Sequence, residues 1–226
     1  MILAALGDIH GNLPAMEAVL EAIDEAGIHT IVNTGDCVVG FPWPNEVVDI
    51  LRRREILTAQ GERDRFAVRF LRKQRTLRKK WGDSEFRSVQ WTHEAARPDT
   101  LEYLRSLRRR GYLHLEGLGI TVCHGTLTSQ SEGLHPDDAE SRFQRQWEEA
   151  RSPLVILGRT HIPFHRWVEG ALFVNPGSVG MNDEEGLARY ALINTETTPW
   201  SVEFLEARYD AQLVTEQRAA AGLEPL

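Results

Sequence analysis

The chain has 226 residues, of which 42% are hydrophobic and 26% are charged, which is ordinary for a globular protein with a sizeable core. The net charge of −7 argues against a surface devoted to nucleic acid, and no apolar run approaches the roughly 20 residues of a membrane span. The apolar start at residues 2–6 has no basic segment before it, so we expect a first strand and not a signal peptide. Cys37 and Cys123 are the only cysteines and each lies beside a polar motif, so we expect no structural disulfide and a cytoplasmic location.

Short apolar runs and helical patterns alternate through the first part of the chain. The pattern predicts strands at residues 2–6, 30–33 and 55–59, a helix after Pro14 and another over residues 44–53. Gly27 is expected to end the first helix, because glycine is common just beyond a helix C-terminus. This alternation predicts a parallel sheet with right-handed crossover connections.

The rest of the chain divides into a helical part and a strand-rich part. Residues 64–110 show helical spacing, with one helix starting near Pro98, and we predict a helical insertion that caps the strand ends. Further helices are expected near residues 137–150 and 209–221. Strands are predicted at residues 113–115, 120–123, 154–157, 165–168, 172–175, 189–194 and 202–205. We therefore predict one domain, residues 1–226, in which two packed sheets carry helices on their outer faces.

Polar motifs follow the predicted strands at their carboxyl ends. In open α/β sheets this edge forms the crevice that binds ligands, so the motif side chains are expected to converge. Their oxygen and nitrogen atoms together suit divalent Mn, Fe, Zn or Ni. The motifs are GDIHGN at 7–12, GD at 35–36, GERD at 61–64, CHG at 123–125, GRTH at 158–161 and NPGSVG at 175–180.

Each of these polar residues also has an ordinary explanation when it is taken alone. A single Asp after a strand is more often a turn or cap residue, and a single His at a strand end is more often part of the core. The ordered series at successive strand ends favours a metal site over that explanation.

The same motifs carry a resemblance to a known family. The segments GDIHGN, GDCVVGFPWPNEVV, GERD, HG, GRTH and NPGSVG resemble the motif series of the calcineurin-like metallophosphoesterases, in particular the small bacterial and archaeal branch of YfcE-type phosphodiesterases. The likeness runs from Met1 to about Leu205. It implies an α/β (α+β) fold, a four-layer αββα sandwich of two mixed sheets, and hydrolysis of phosphate esters at two metal ions.

The resemblance also implies roles for individual residues. Asp8, His10 and His161 would bind the first metal, Asp36 would bridge the two metals, and His124 would bind the second. Residues expected to contact the substrate are Asn12, Arg63 and Gly125.

Three positions depart from the family pattern. Glu62 replaces an Asn ligand of the second metal, Arg63 replaces a His or equivalent that positions the phosphate or protonates the leaving group, and Arg159 replaces a His ligand of the second metal. Arginine stays protonated and cannot ligate a cation, so the family's second site cannot form. We expect Arg159 to pair with Glu62 in place of the second metal. In the alternative, Arg159 turns to solvent and Glu62 binds a metal with Asp36 and His124.

Two functions therefore remain open. The intact first site favours a slow metal-dependent phosphodiesterase that uses a metal-bound hydroxide on activated esters, with Asp36 and His124 as catalytic residues and with Arg63 and Arg159 stabilising charge. The alternative is a non-catalytic scaffold of the same fold that binds a nucleotide, a metal or a protein partner.

The surroundings of the site add two expectations. Residues 65–80 contain eight basic and no acidic side chains, which would steer phosphate esters, nucleotides or single-stranded nucleic acid. A solvated helix face paired with acidic groups elsewhere is the favoured explanation of that run. Phe41, Pro42 and Trp43 follow Asp36 closely and are expected to line the pocket wall.

Overall fold

The computed structural model describes residues 1–223, which hold ten strands and seven α-helices. Residues 224–226 of the predicted domain lie outside the described residues, and the single-domain assignment stays a prediction. The strands are Ile2–Leu6 (β1), Ile31–Asn33 (β2), Leu57–Thr58 (β3), Arg110–Leu115 (β4), Leu118–Cys123 (β5), Leu154–Ile156 (β6), Phe164–Val168 (β7), Ala171–Asn175 (β8), Leu187–Asn194 (β9) and Ser201–Arg208 (β10). The helices are Leu13–Glu25 (α1), Pro44–Arg53 (α2), Glu62–Lys80 (α3), Asp83–Ala95 (α4), Pro98–Ser106 (α5), Glu140–Ala150 (α6) and Ala211–Ala220 (α7).

The strands form two mixed sheets of five strands each. The first sheet has the order β10-β9-β1-β2-β3, in which β1, β2 and β3 run parallel and β9 pairs antiparallel with β1. The second sheet has the order β4-β5-β6-β8-β7, with β5, β6 and β8 parallel at its centre. The predicted parallel unit of β1 to β3, connected through α1 and α2, is therefore present at one side of the first sheet.

Three apolar clusters separate the four layers of the fold. Alternation along β1 sends Leu3 and Ala5 into the cluster between the sheets, and Ala4 and Leu6 into the cluster under the helices. A third cluster packs the second sheet against α6, where the ring of Phe143 lies 5.3 Å from that of Phe173 and 6.1 Å from that of Phe164. The predicted αββα fold is confirmed.

Two predicted boundaries differ from the structure for local reasons. The strand predicted at residues 55–59 is only Leu57–Thr58, because Glu55 has a φ of 51°, which a strand cannot accommodate. The helix predicted from residue 137 begins at Glu140, because the Asp138 carboxylate accepts a hydrogen bond of 2.7 Å from the backbone N–H of His135 and closes a turn there.

The insertion after β3 consists of three helices. Phe70 and Leu77 of α3, Phe86 and Val89 of α4, and Leu104 of α5 join the same cluster that packs α1 and α2 against the first sheet. The first turn of α3 borders the strand ends, and the role of the whole insertion as a cap stays a prediction. Among residues 1–223, no helix combines the length and the apolar character that crossing a membrane requires.

Gly61 and Gly82 allow a matched test of how closely the start of α3 packs against the loop that contains Asp36. Each glycine has a negative φ and directly precedes a helix. A Cβ on Gly61 would lie 2.0 Å from Asp36 Oδ1 and 2.1 Å from Asp36 N, whereas a Cβ on Gly82 would meet nothing within 4 Å. Gly61→Ala is expected to lower the free energy of unfolding by about 1–3 kcal/mol, measured by urea denaturation. Gly82→Ala should change it by less than about 0.5 kcal/mol. Equal effects of the two substitutions would show that the approach of Gly61 to Asp36 is not tight.

Candidate metal centre

Loops from both sheets bring the polar motifs together. β1 leads to Asp8 and His10 and β2 leads to Asp36, while β5 and β6 of the second sheet lead to His124 and to His161. Non-glycine residues with a positive φ cost of order 1–3 kcal/mol each and persist only where the surrounding structure holds them. Six such residues lie in these loops, namely Asp8 (52°), His10 (56°), Asp36 (48°), Val39 (77°), Arg159 (76°) and His161 (60°).

Glycines allow the loops to approach one another. A Cβ on Gly158 would lie 2.7 Å from Asp8 Oδ2, and a Cβ on Gly180 would lie 1.9 Å from the carbonyl oxygen of Ile9. Neither position has room for a side chain, so both glycines are required for the two sheets to meet at this edge.

The carboxylate of Asp8 lies at the centre of the cluster. Its Oδ1 atom is 3.3 Å from His161 Nε2, 3.8 Å from His10 Nε2 and 3.8 Å from His124 Nδ1. Its Oδ2 atom accepts a hydrogen bond of 3.1 Å from the backbone N–H of Arg159. Asp8 is fully buried, and Oδ1 has no hydrogen-bond partner among the described residues. A buried anionic oxygen without a donor requires a compensating positive charge.

His10 and His161 present ring nitrogens to each other. Their Nε2 atoms are 3.3 Å apart, and His10 Nδ1 lies 2.9 Å from the carbonyl oxygen of Val39. That carbonyl accepts a hydrogen bond from the N–H at Nδ1, so Nε2 of neutral His10 carries a lone pair that faces His161. Asp8, His10 and His161 together place one ligand atom each within 4.8 Å of one another.

A second group of three ligands contains Asp8, Asp36 and His124. His124 Nε2 lies 3.3 Å from Asp36 Oδ2, and neither ring nitrogen of His124 makes a hydrogen bond to a described residue. Asp36 Oδ1 accepts a hydrogen bond of 2.7 Å from the backbone N–H of Arg63. Asp8 is common to both groups, and the bridging role that the resemblance implied for Asp36 stays a prediction.

The electrostatics of the cluster follow from burial and from the mixture of carboxylates and imidazoles. Burial lowers the pKa of His10 to about 4, so this imidazole is neutral. Although burial opposes it, the carboxylates of Asp36 and Asp8 raise the pKa of His124 to about 9. Burial likewise opposes ionisation of Asp8 and Asp36, but the neighbouring His161 and His124 hold both carboxyl pKa values below their usual range. Ionised carboxylates beside a neutral imidazole are a donor set that fits a divalent cation.

Glu62 connects this cluster to two arginines. It is 5% exposed, and its Oε2 atom lies 3.6 Å from Arg159 Nη2, within ion-pair distance. Its Oε1 atom accepts a hydrogen bond from Ser131 Oγ and lies 3.8 Å from Arg65 Nη2. The contacts of Glu62 with Ser131 and Arg65 were not anticipated from the sequence, because Ser131 is 69 positions away and neither residue belongs to a motif.

The side chain of Arg63 has partners outside the cluster. Its Nη2 atom donates a hydrogen bond of 2.7 Å to Glu85 Oε1, and its guanidinium carbon lies 4.6 Å from the ring centroid of Trp81. Contact with a phosphate would require these interactions to be exchanged, so the role predicted for Arg63 in catalysis and substrate binding stays a prediction.

Asn12 and Gly125 are both packed against the backbone of neighbouring loops. Asn12 is fully buried, where its Oδ1 accepts a hydrogen bond from the backbone N–H of Ala15 at the start of α1 and its Nδ2 donates to the carbonyl oxygen of Gly180. A Cβ on Gly125 would lie 2.5 Å from the carbonyl oxygens of Ser129 and Glu132. Both residues brace loops of the site, and their contact with a substrate stays a prediction.

Asp64 is a site residue whose role the sequence argument missed. It is fully buried, and its Oδ1 accepts hydrogen bonds from the backbone N–H groups of Cys37 (2.8 Å) and Val38 (3.2 Å). Its Oδ2 accepts one of 2.9 Å from the N–H of Gly61. Asp64 therefore fixes the loop after Asp36 against the start of α3. An acidic residue three positions after the glycine that precedes a helix is the signal that could have found it.

A cavity of about 610 Å³ opens beside the cluster. His161 and Gly180 form one side of it, and Val214 and Ala219 of α7 form another. Phe41 lines the cavity as expected, whereas Pro42 and Trp43 are absent from its described lining. The volume falls in the usual range of small-molecule sites, about 300–1,000 Å³.

Comparisons with known proteins agree with the geometry. The uncharacterized protein MJ0912 of Methanocaldococcus jannaschii is 26% identical over 96% of this chain and 91% of its own length. The structure of hypothetical protein PH1004 from Pyrococcus horikoshii superposes with a TM-score of 0.86 at 22% identity, covering 99% of this chain and 94% of that one. A metallophosphoesterase from Sphaerobacter thermophilus superposes with a TM-score of 0.78 at 24% identity, covering 99% and 95% of the two chains.

The phosphoesterase YfcE of E. coli superposes with a TM-score of 0.52 at 18% identity, covering 93% of this chain and all of that one, which is a likeness of fold. The resemblance to the calcineurin-like phosphoesterases inferred from the motifs is confirmed by the family model. Members of the family are metal-dependent, and the Asp and His groups described above could bind a metal. The family model of the calcineurin-like phosphoesterase superfamily domain matches residues 1–198. The chain therefore belongs to the calcineurin-like phosphoesterase superfamily.

Proposed function

We propose that this protein is a metal-dependent phosphodiesterase that works with one divalent cation, held by Asp8, His10 and His161 with Asp36 beside them. The observation that carries the proposal is the buried Asp8 Oδ1, which lies between three imidazoles and has no hydrogen-bond donor among the described residues. The facing Nε2 atoms of His10 and His161, 3.3 Å apart, support the same position for a cation.

A divalent cation in such a donor set lowers the pKa of a bound water toward about 7 and polarises a phosphoryl oxygen. Arg159 supports the reaction from the protein, because its side chain is 37% exposed at the cluster and can donate to a phosphate oxygen while its Nη2 stays near Glu62. Arginine cannot protonate a leaving group near neutral pH, so leaving groups that are stable as anions should react best.

The charge of the site favours a diester over a monoester. With one cation in place of two, the carboxylate of Glu62 is offset by Arg159 and that of Asp36 lies beside His124, instead of both facing a second divalent ion. A phosphodiester carries one negative charge and a phosphomonoester carries nearly two at neutral pH, so the monoester is repelled more strongly. The cavity of about 610 Å³ beside His161 would take the organic group of the ester.

A second candidate function is a scaffold that keeps the metal without hydrolysing esters. The observation in its favour is that Arg159 and Glu62 stand where the resemblance implies ligands of a second metal. Binding of a metal together with inactivity toward every ester tested would favour this alternative. Nucleic acid remains a secondary prediction for the substrate.

Metal retention tests the ligand assignment directly. Elemental analysis of the protein after gel filtration should find about one divalent ion per chain. Asp8→Asn should reduce the metal content about tenfold or more, because it removes the negative charge of the carboxylate at the centre of the cluster. Asp137→Asn, the same change at an exposed residue, should leave the metal content unchanged. Two tightly held ions per chain would contradict the single-metal arrangement.

Substrate preference tests the reaction. With Mn²⁺ present, kcat/KM for bis-p-nitrophenyl phosphate should exceed that for p-nitrophenyl phosphate by about tenfold or more, because the diester has the lower charge. A chelator and Asp8→Asn should each remove the activity. If an alkyl phosphomonoester were the best substrate by a wide margin, the electrostatic argument would be wrong.

Restoring the family ligands tests the role of the arginine. The double variant Glu62→Asn, Arg159→His is expected to bind a second ion, so the metal content should rise toward two per chain. Its kcat toward bis-p-nitrophenyl phosphate should rise with it, because two cations clamp the attacking and leaving oxygens together. A metal content that stays at one, in a variant with unchanged circular dichroism, would show that Arg159 does not stand in the place of a second metal.

A further inference from the structure

Four arginines line a separate cavity of about 300 Å³ on the insertion. Arg65 and Arg69 come from α3, Arg105 comes from the last turn of α5, and Arg109 comes from the segment between α5 and β4. None of the described residues that line this arginine pocket is acidic.

Few partners neutralise these arginines. Arg109 Nε donates a hydrogen bond of 3.0 Å to the neutral side chain of Gln130, and Arg65 lies 3.8 Å from Glu62, which it shares with Arg159. Within residues 1–223, Arg69 and Arg105 have neither an ion pair nor a hydrogen bond from their side chains. Arg65 Nε is buried and has no hydrogen-bond partner among the described residues. Of the two residues of the basic run that line this pocket, Arg65 has Glu62 at ion-pair distance and Arg69 has no acidic partner among the described residues. Pairing of the whole run with acidic groups therefore stays a prediction.

Other arginines of the protein are paired directly with carboxylates. Arg54 donates two hydrogen bonds to the carboxylate of Asp24, and Arg97 lies 2.6 Å from Asp49. In a chain with a net charge of −7, four arginines line one small cavity, where their like charges repel one another.

Hydrogen bonds to backbone carbonyl groups join the segments that form the walls of the pocket. The N–H of Gln60 donates to the carbonyl oxygen of Arg108 (2.7 Å), and Gln60 Nε2 donates to that of Leu104 (2.8 Å). Gln130 Nε2 donates to the carbonyl oxygen of Gln60 (2.6 Å). The segment before α3 is thus joined to the end of α5 and to the residues that follow it, so the backbone that carries Arg65, Arg105 and Arg109 is held together without a ligand.

We propose that the arginine pocket is a binding site for a di- or triphosphate group, separate from the metal centre. Guanidinium groups bind phosphate oxygens bidentately, and several of them together suit a compact group of high charge better than a single phosphate. The small volume of the cavity suits a short chain of phosphates. The pocket and the metal centre touch the same carboxylate, since Glu62 lies near both Arg65 and Arg159.

Titration calorimetry with inorganic pyrophosphate tests the proposal. The full chain is used in the Asp8→Asn background with a chelator present, so that the metal centre takes no part. Saturable binding is expected, with inorganic phosphate much weaker. Arg69→Gln with Arg105→Gln should weaken pyrophosphate binding about tenfold or more, because two charged donors are lost.

The control is Arg72→Gln with Arg75→Gln, which removes the same charge from exposed positions of α3 that do not line the pocket. It should change the dissociation constant by less than about twofold at 0.15 M salt, where charges beyond the ~8 Å Debye length are largely screened. Equal weakening by both pairs, or no saturable binding of pyrophosphate, would overturn the site. Binding of single-stranded DNA that pyrophosphate does not displace would also overturn it, in favour of a nucleic-acid surface. Loss of ester hydrolysis has no bearing on these measurements, so the outcome is independent of the proposed phosphodiesterase activity.

Discussion

A buried carboxylate oxygen surrounded by three imidazoles is the constraint on which this structure depends. Asp8 Oδ1 is removed from water and receives no hydrogen bond from the described residues, yet its carboxyl group is held ionised by the histidines around it. Such an arrangement is costly unless a positive charge completes it. The backbone also takes part in this arrangement. Residues with positive φ in the site loops, and glycines that have no room for a Cβ, bring the ligands from separate strands to one point.

The pair formed by Glu62 and Arg159 supports the proposal that one half of a two-metal family site is lost while the other half is kept. A fixed guanidinium supplies one positive charge and several donors, and it needs no ligands. It cannot act as a Lewis acid, so the chemistry that depends on a second cation is given up, while attraction for a phosphate oxygen is retained. The carboxylate of Glu62 also contacts Ser131 and Arg65, and both contacts help to hold it beside Arg159.

Much of this could be predicted from the sequence, and the remainder depends on distances that a pattern does not contain. Motifs at strand ends predicted which ligands converge, because strand direction alone places them on one edge. The sequence could not show that Asp8 and not Asp36 is shared by the two ligand groups, since that depends on side-chain rotamers within one cluster. It predicted the basic face of α3 but not the pocket, because Arg105 and Arg109 meet α3 only through tertiary packing.

The metal centre also lies across the boundary between the two sheets. The sheets pack through apolar side chains such as those of Leu3 and Ile156, which tolerate small displacements, and within residues 1–223 no strand of one sheet pairs with a strand of the other. Hydrogen bonds and metal ligation tolerate smaller displacements than apolar packing does. This applies to the hydrogen bond from Arg159 N to Asp8 Oδ2 and to the candidate ligands, which come from both sheets. A slide of one sheet over the other by a fraction of an ångström would leave the core packed and separate the ligands. The affinity for a cation should therefore depend on how the two sheets are aligned. Substitutions of apolar residues between the sheets should alter that affinity without touching a ligand.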